Sequence, residues 1–222
     1  MIEFRNLRKE FVIRGQRKVV IDNLSLKLPS TASVALLGRN GAGKSTLLQI
    51  VSGNMEPTSG QVISTSSISW PVGFAGSFHP DLTGYQNTKF VARIYGVDTE
   101  ELARFVLDFS ELGQNFFLPI RTYSSGMRSR LSFGVSMGIP FDIYLVDEVT
   151  SVGDASFREK SKWLFNERMK TAGAFMVSHS MEQVRAMCDV GVVLENGRAI
   201  YYEDLEEAIS HHLENVTGHK AP

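Results

Sequence analysis

The most informative segment of this chain is a glycine-rich loop, Gly38-Arg39-Asn40-Gly41-Ala42-Gly43-Lys44-Ser45-Thr46. It matches the phosphate-binding pattern G-x-x-x-x-G-K-[ST], in which glycines let backbone N–H groups curl around a polyphosphate. In this pattern Lys44 reaches the β and γ phosphates, and the Ser45 hydroxyl ligates Mg²⁺. The flanking residues predict a buried strand at 33–37 and a helix at 44–52 whose N-terminus faces the phosphates. The loop therefore predicts a phosphate-binding site that uses Mg²⁺.

Size, charge and cysteine content limit the other possibilities. The 222 residues suit one domain with an inserted subdomain, and a formal net charge of −1 does not favour nucleic acid as a partner. Cys188 is the only cysteine, so we expect a small buried thiol and no internal disulfide. No apolar run reaches the ~18–20 residues that span a bilayer, and charged residues replace a signal-peptide core near the N-terminus. We therefore expect a soluble protein that reaches a membrane through a partner.

The segment before the loop predicts a small antiparallel sheet. Turn residues such as Gly15 and Asp22-Asn23 separate four short β-prone runs, Ile2–Arg5, Phe11–Ile13, Arg17–Val20 and Leu24–Leu28. We expect this sheet to lie beside the bound nucleotide. Two interpretations of Phe11 remain open on spacing alone, because it can stack on adenine or serve as an ordinary core aromatic.

Two later strands predict the catalytic groups. Residues 143–146 are apolar and suit a buried parallel strand, and Asp147-Glu148 follow at its carboxyl end, where α/β sheets place their ligands. Asp147 suits the Mg²⁺-coordinating carboxylate, and Glu148 is positioned to accept a proton from the attacking water or to orient it. A further strand at 174–177 precedes His179. We expect His179 at the same edge, in contact with the γ-phosphate.

Between these halves the pattern changes. Residues 69–84 are rich in glycine and aromatics without a period, which predicts a functional loop. Residues 85–139 then have helical periodicity, with Phe90, Val91, Ile94 and Tyr95 predicted on one face. This block predicts a helical subdomain inserted in an α/β core.

The C-terminal part predicts a hairpin and a last helix. Strands at 190–194 and 198–202 flank Asn196-Gly197, and Asp204 is expected to cap the helix that follows. Three histidines, His211, His212 and His219, lie on or beyond this polar helix, and we expect them at the solvated surface.

A further motif indicates a known family. Tyr123-Ser124-Ser125-Gly126-Met127-Arg128 resembles the signature motif of ATP-binding cassette (ABC) ATPases, which usually is Leu-Ser-Gly-Gly-Gln. Ser124 and Gly126 match this motif, whereas the residues at 123, 125 and 127 depart from it. Residues 150–154, ending in Asp154, resemble the D-loop of the family, and His179 its switch histidine. The resemblance covers essentially the whole chain. It implies an α/β P-loop NTPase fold with a mainly parallel core sheet, an N-terminal antiparallel β subdomain and a helical subdomain at 85–139 inserted in a RecA-like core.

Three segments narrow the resemblance. The variant signature, the segment 147–157, and Ser69-Trp70-Pro71 with residues 78–84 resemble the ATPase subunits of bacterial polysaccharide exporters, and most closely their capsular-polysaccharide branch. Relatives that export O-antigen or teichoic acid can carry an extra C-terminal domain. Because the chain ends soon after its last core helix, we expect no such domain here.

The resemblance implies a mechanism and partners. Two copies would pair head to tail, with ATP and Mg²⁺ between the phosphate loop of one and Ser124, Ser125 and Gly126 of the other; the resemblance places Asp154 at the same nucleotide. Membrane permease subunits would dock near Trp70–Gly84, where the usual glutamine of the family is missing, and would handle a glycolipid at the cytoplasmic face of the bacterial inner membrane. The alternatives are an O-antigen or teichoic acid exporter, an importer ATPase, a soluble ABC ATPase without a transporter, and a P-loop kinase or GTPase.

Overall fold

The structure is a computed structural model that describes residues 1–29, 31–73, 78–147 and 154–218. Its chain divides into two compact units, the first formed by residues 1–71, 141–148 and 171–222 and the second by residues 72–140 and 149–170. The segment 85–139, predicted as a helical subdomain, falls within the second unit. Glu148 and His219 lie outside the described residues, as does the D-loop segment before Asp154.

Nine strands and seven α-helices form the described chain. The strands are β1 Ile2–Ile13, β2 Gln16–Leu28, β3 Val34–Gly38, β4 Ser59–Ser64, β5 Ile68–Pro71, β6 Ile143–Asp147, β7 Gly173–Val177, β8 Val190–Glu195 and β9 Arg198–Tyr202. The helices are α1 Lys44–Val51, α2 Gly84–Tyr95, α3 Thr99–Ser110, α4 Ser125–Gly138, α5 Ala155–Met169, α6 Met181–Met187 and α7 Leu205–Thr217. Two short 3-10 turns precede α4, at Gly113–Phe117 and Ile120–Thr122.

The larger sheet of the first unit has six strands in the order β5-β6-β7-β3-β8-β9. Its first five strands run parallel, and β9 pairs antiparallel with β8. Every residue of β3 and β7 is buried, as their uninterrupted apolar runs require. The predicted mainly parallel core sheet is thus confirmed. Because β3, β6 and β7 are parallel, their carboxyl ends meet at one edge.

The smaller sheet, β2-β1-β4, is antiparallel, as predicted. The prediction of four short strands before the loop was wrong, because they join into the two long strands β1 and β2. Arg14 and Gly15 form the tight turn between them, with φ of +50° and +79°. Asn23 instead lies inside β2, where its left-handed φ of +52° accompanies a register shift. The asparagine bends the strand without ending it.

Two elements were missing from the sequence-based prediction. Residues 69–71, predicted as loop, belong to strand β5, which pairs with β6. The Ser69 hydroxyl accepts a 2.9 Å hydrogen bond from the Leu145 N–H, and the Trp70 ring packs edge-on against Phe141 at 5.5 Å. A polar side chain therefore completes the sheet where periodicity gave no signal. Helix α6 was also missed, although Ser180 caps it in the usual way by accepting from the Gln183 N–H.

Aromatic contacts form the core of the second unit. The Phe109 ring stacks on Phe105 at 5.9 Å and on Phe133 at 5.8 Å, and it meets Phe157 edge-on at 5.2 Å. These four residues come from α3, α4 and α5. An added Cβ on Gly138 would collide with side chains of α3, so glycine permits the close packing of α4 on α3.

Helix α2 presents an exposed apolar surface. Val91 is buried, but Phe90, Ile94 and Tyr95 are 55%, 61% and 42% exposed. The buried side of the helix is formed by the small or polar residues Gly84, Asn87, Thr88 and Ala92 together with Val91. The four predicted residues therefore do not form one buried face. Phe90, Ile94 and Tyr95 together are called the α2 surface.

Helix α7 begins after Asp204, which accepts from the Glu206 N–H, so this predicted cap is confirmed. The expectation of solvated histidines on α7 was wrong. His211 contacts the Tyr202 hydroxyl at 2.9 Å and Glu195 at 3.3 Å, and the Nδ1 atom of His212 is buried. Both residues are half-buried where α7 lies against β8 and β9. Within the described ranges, the helices are too short or too polar to cross a membrane.

Candidate functional site

A cavity of about 410 Å³ opens in the first unit at the carboxyl edge of the parallel strands. It is lined by Phe11, Ile13, Lys18, Val20, Asn40, Gly41, Gly43, Lys44, Ser45, Thr46, Asp147, Val177 and His179. The structure thus brings together five separate chain segments, and four of them carry residues that the sequence predicted. The volume of the cavity falls in the range of small-molecule sites.

Gly43 shapes the loop within this cavity. Its φ of +105° is left-handed, and an added Cβ would lie 2.7 Å from Val20 Cγ1 and 3.2 Å from the Val20 oxygen. Glycine is therefore required for both conformation and space. Gly43 also precedes α1, which has no side-chain cap, whereas a side chain caps every other α-helix in the described residues. An uncapped helix N-terminus is suited to bind an anion.

The remaining loop residues hold its shape. The Lys44 ammonium donates to the carbonyl oxygens of Gly38 at 2.7 Å and Arg39 at 3.2 Å. The Ala42 N–H donates to the Arg39 oxygen at 3.0 Å, and Ala42 packs against the hydrophobic core. Gly38 and Ala42, predicted as nucleotide-binding residues, are not among the residues that line the cavity. Their contacts indicate a supporting role.

Two predicted metal ligands and one predicted catalytic residue share the cavity. Ser45 and Asp147 both line it, and a hydroxyl with a carboxylate is a donor set that Mg²⁺ accepts. The residues present therefore fit a Mg²⁺-bound polyphosphate. His179 lines the same cavity, two residues after the end of β7 at Val177. Glu148 directly follows Asp147 but lies outside the described residues.

Strands β1 and β2 of the smaller sheet supply an apolar end to the cavity. Phe11 and Lys18 are direct partners across β1 and β2, and Ile13 and Val20 are two residues further along the same faces. Because side chains alternate along a strand, these four residues lie on one side of the hairpin. The Lys9 ammonium lies 5.1 Å from the centre of the Phe11 ring. Sequence analysis identified only Phe11 here, although period-two alternation was a signal for the other three.

The sequence analysis did not connect His212 with the cavity. Burial lowers its pKa, and the positive charges of Lys44, His179 and His211 lower it further. Its Nδ1 atom has no hydrogen-bond partner among the described residues. Two of the residues whose charges lower this pKa, Lys44 and His179, line the cavity, and no local pattern on the polar helix α7 had indicated this link.

The signature residues lie in the second unit, at the start of α4. The Ser124 Oγ caps this helix by accepting from the Met127 N–H at 3.2 Å, and Ser125 and Gly126 form its first turn. Since the cap uses the oxygen as an acceptor, the Ser124 O–H can still donate to a ligand. A Cβ on Gly126 would contact nothing closer than Ser124 Oγ at 3.9 Å, so the backbone there is open to approach.

Asp154 also belongs to the second unit, and its carboxylate is used within that unit. It accepts from the Phe157 N–H at 3.0 Å and from Arg130 at 2.6 Å. The Phe157 N–H is the main cause that lowers the pKa of Asp154, and the charge of Arg130 adds to it. Asp154 is thus ionised and engaged, which favours a structural role over direct nucleotide contact.

Comparison with known proteins identifies relatives across nearly the whole chain. A family model described as ABC transporter matches residues 21–151. The polysialic acid transport ATP-binding protein KpsT of Escherichia coli is 51% identical over 212 residues, which cover 94% of this chain and 95% of that protein. The capsule polysaccharide export ATP-binding protein CtrD of Neisseria meningitidis is 41% identical over 212 residues, which cover 96% of this chain and 98% of that protein.

A solved structure supports the same fold. The dimeric, post-hydrolysis structure of the ATP-binding cassette MJ0796 bound to ADP and Pi resembles this chain with a TM-score of 0.75. The match covers 92% of this chain and 99% of that chain at 21% sequence identity. The predicted fold class is thereby confirmed.

Proposed function

Because this chain belongs to the ABC transporter family, we propose that it hydrolyses ATP as the nucleotide-binding subunit of an exporter of capsular polysaccharide. The observation that carries the ATPase proposal is the single cavity shared by the phosphate loop, Asp147, His179 and Phe11. A kinase or GTPase would not require the signature residues at the start of α4.

In this proposal the cavity residues divide the work. Phe11 stacks on adenine, and Lys44 together with the N–H groups of the glycine-rich loop holds the phosphates. Ser45 and Asp147 would hold Mg²⁺, which would supply positive charge to the phosphates. Glu148, the next residue after β6, accepts a proton from the attacking water, and His179 contacts the γ-phosphate. The protein thus contributes position and electrostatic stabilisation to phosphoryl transfer.

Two copies complete each site by pairing head to tail. One copy alone leaves the γ-phosphate open to solvent, and the start of α4 from the other copy would cover it. The Ser124 hydroxyl, the Ser125 and Gly126 backbone and the positive end of α4 would all face the phosphate. ATP would therefore close the dimer, and hydrolysis would let it reopen.

The names of the relatives support the assignment of capsular polysaccharide as the transported substrate. KpsT and CtrD are described as transport and export proteins for polysialic acid and capsule polysaccharide. We infer that this subunit lies at the cytoplasmic face of the bacterial inner membrane and powers permease subunits that move a lipid-linked glycan. An O-antigen or teichoic acid exporter is the nearest alternative, and a soluble ABC ATPase without a transporter is a more distant one.

We propose that the permease subunits contact the segment Trp70–Gly84. Trp70 packs on Phe141 within the first unit, so its ring contributes to structure, whereas Phe78 is half-buried. Phe74, the second anchor expected from the sequence, lies outside the described residues. The exposed α2 surface follows in sequence and adds apolar area suited to a membrane subunit.

Purified full-length protein tests the ATPase proposal. Glu148→Gln should lower ATP turnover by ~10²–10⁴ because it removes the general base, while ATP binding persists. Mixing Ser124→Arg with Lys44→Ala protein should restore some hydrolysis, since one site of the mixed dimer keeps both halves. Normal turnover by Glu148→Gln would remove Glu148 from this role.

A second measurement tests the transported substrate. Purification from native membranes should yield the subunit with an integral membrane protein. In that complex, the lipid-linked capsular glycan should stimulate hydrolysis more than lipid-linked O-antigen does. Stimulation by O-antigen alone would replace the capsular assignment with the nearest alternative.

A further inference from the structure

Lys9 contacts two parts of the first unit through one side chain. Its ammonium nitrogen lies over the Phe11 ring, 5.1 Å from the ring centre, and donates a 2.7 Å hydrogen bond to the carbonyl oxygen of Glu56. Phe11 belongs to β1, whereas Glu56 lies between α1 and β4. Both Lys9 and Phe11 are half-buried. The Lys9 side chain therefore joins an aromatic ring of the cavity to the segment that follows the phosphate-loop helix.

The alternation of side chains along β1 places Lys9 beside the cavity without lining it. Lys9, Phe11 and Ile13 lie on one side of this strand. The register shift beside Lys9 skips a residue of β2, so β1 itself keeps its alternation there. Lys9 and Ile13 flank Phe11, and in the described part of the chain only Ile13 of these two lines the cavity. The ammonium group therefore contacts Phe11 from outside the cavity.

A cation in this position can hold the Phe11 ring in one orientation. The face of an aromatic ring is partly negative and attracts an ammonium group. Because the hydrogen bond to Glu56 anchors the ammonium group, the attraction restricts the rotation of the ring. A ring that is already ordered loses less conformational entropy when a base stacks on it. The Lys9 contact therefore favours stacking on Phe11.

The backbone beside Lys9 is held by contacts that do not use its side chain. The Thr58 N–H donates to the Arg8 oxygen at 2.8 Å, and the Glu10 N–H donates to the Thr58 hydroxyl at 3.0 Å. Strand β1 also pairs with β2 on both sides of Lys9. A substitution of Lys9 should therefore affect the Phe11 ring and leave the path of β1 unchanged.

We propose that Lys9 is a positioning residue for ATP binding, which holds the Phe11 ring in the orientation that stacks on adenine. The inference deepens the proposed function and rests on it. Lys9 itself contacts neither the base nor the phosphates. Its removal should therefore weaken the binding of a nucleotide and leave the affinity for a phosphate chain without a base unchanged.

Arg17 provides a matched control. It lies on β2 of the same hairpin, pairs with Glu10 at 3.1 Å, and has a side chain that is 76% exposed. Among the residues that the structure describes, Arg17 does not line the cavity. Arg17→Met and Lys9→Met each remove one positive charge, so any loss of long-range attraction to ATP is common to both. Lys9→Arg keeps a cation that can lie over a ring, so it tests rescue.

The experiment uses full-length protein and measures binding of a ribose-labelled fluorescent ATP analogue, competition by inorganic tripolyphosphate, Tm, and kcat and KM for ATP. Lys9→Met should weaken nucleotide binding by about 2- to 5-fold, as expected for one cation–π contact. KM should rise by a similar factor, whereas kcat and the affinity for tripolyphosphate should not change. Lys9→Arg and Arg17→Met should bind the analogue as the wild type does. In a Phe11→Ala background, Lys9→Met should cause no further loss.

Each contrary outcome refutes a specific statement. Wild-type nucleotide affinity in Lys9→Met would overturn the proposal, as would an equal loss for tripolyphosphate, an equal loss in Arg17→Met, or a further loss in the Phe11→Ala background. If Lys9→Met does not fold, Lys9→Gln, which also lacks the charge, takes its place. Wild-type affinity in Phe11→Ala would refute the proposed adenine stacking and this inference with it. Failure of the wild-type chain to bind ATP would refute the proposed function itself.

Discussion

The ammonium nitrogen of Lys44 lies 2.7 Å from the carbonyl oxygen of Gly38, the last residue of β3. This hydrogen bond closes the glycine-rich loop across its base. Lys44 also lines the cavity, so this residue is attached to the loop beside the proposed phosphate position. Lys44 therefore stabilises the loop, and its place in the cavity is consistent with the proposed contact to the phosphates.

The first prediction concerns that charge. Lys44→Met keeps the length of the side chain and removes its charge, so ATP affinity should fall by about 10- to 150-fold, as expected for loss of a charge-assisted hydrogen bond of ~1.5–3 kcal/mol. Titration with a fluorescent ATP analogue measures the change. Lys18→Met is the control at the apolar end of the same cavity, and it should cost less. Equal losses in both variants would mean that Lys44 has no special role.

The second prediction concerns the stacking of the adenine base on Phe11. Phe11→Ala should weaken ATP binding by about 2- to 10-fold, since an aromatic stack contributes ~0.5–1.5 kcal/mol. Val12→Ala is the matched control, because Val12 is exposed and points to the opposite side of β1. Inorganic tripolyphosphate lacks a base, so its affinity should not change in Phe11→Ala. A similar loss for tripolyphosphate would show that Phe11 is a core residue and not a stacking platform.

The third prediction concerns Cys188. The expected buried thiol is confirmed, and burial raises its pKa to about 12, with a further contribution from Asp189. Since the thiolate is the reactive form, iodoacetamide at pH 8 should label the folded protein on the order of 10³-fold more slowly than free cysteine. Mass spectrometry follows the labelling, and urea should restore the normal rate. Fast labelling of the folded chain would show that the thiol is accessible.

The fourth prediction concerns pH. Burial and the charges of Lys44, His179 and His211 lower the pKa of His212 in the folded chain below the value near 6.5 of the unfolded chain. The unfolded chain therefore binds a proton first as the pH falls. The contribution of neutral His212 to stability is complete above about pH 6.5 and is lost as the pH drops through the folded pKa.

His212→Gln removes this dependence. Between pH 7.5 and pH 5.5, the wild-type Tm should fall further than the Tm of the variant. His211 and its contact with Glu195 remain in both proteins, so they are common to the two curves. Parallel curves would show that His212 titrates like an exposed histidine.

Much of the fold followed from local patterns. The strands β3, β6 and β7 are short apolar runs, and their carboxyl ends, with Asp147 at the end of β6, lie at one edge of the sheet because parallel strands all end there. Asp204 and Gly15 act locally, so their cap and turn were predictable. The sequence was less informative where an element lacks its own period, as in β5, whose Ser69 is satisfied only by the neighbouring strand.

By itself, the sequence determined the phosphate loop, the two strands that precede or carry Asp147 and His179, and the family. These depend on neighbouring residues, since backbone conformation and short-range hydrogen bonds are local properties. The tertiary structure decided which distant side chains meet. It placed Lys18 and Val20 beside Phe11, left His212 half-buried on α7, exposed Phe90 on α2, and joined Arg130 to Asp154. Such contacts depend on how helices and sheets pack, and packing brings together residues whose separation along the chain carries no signal.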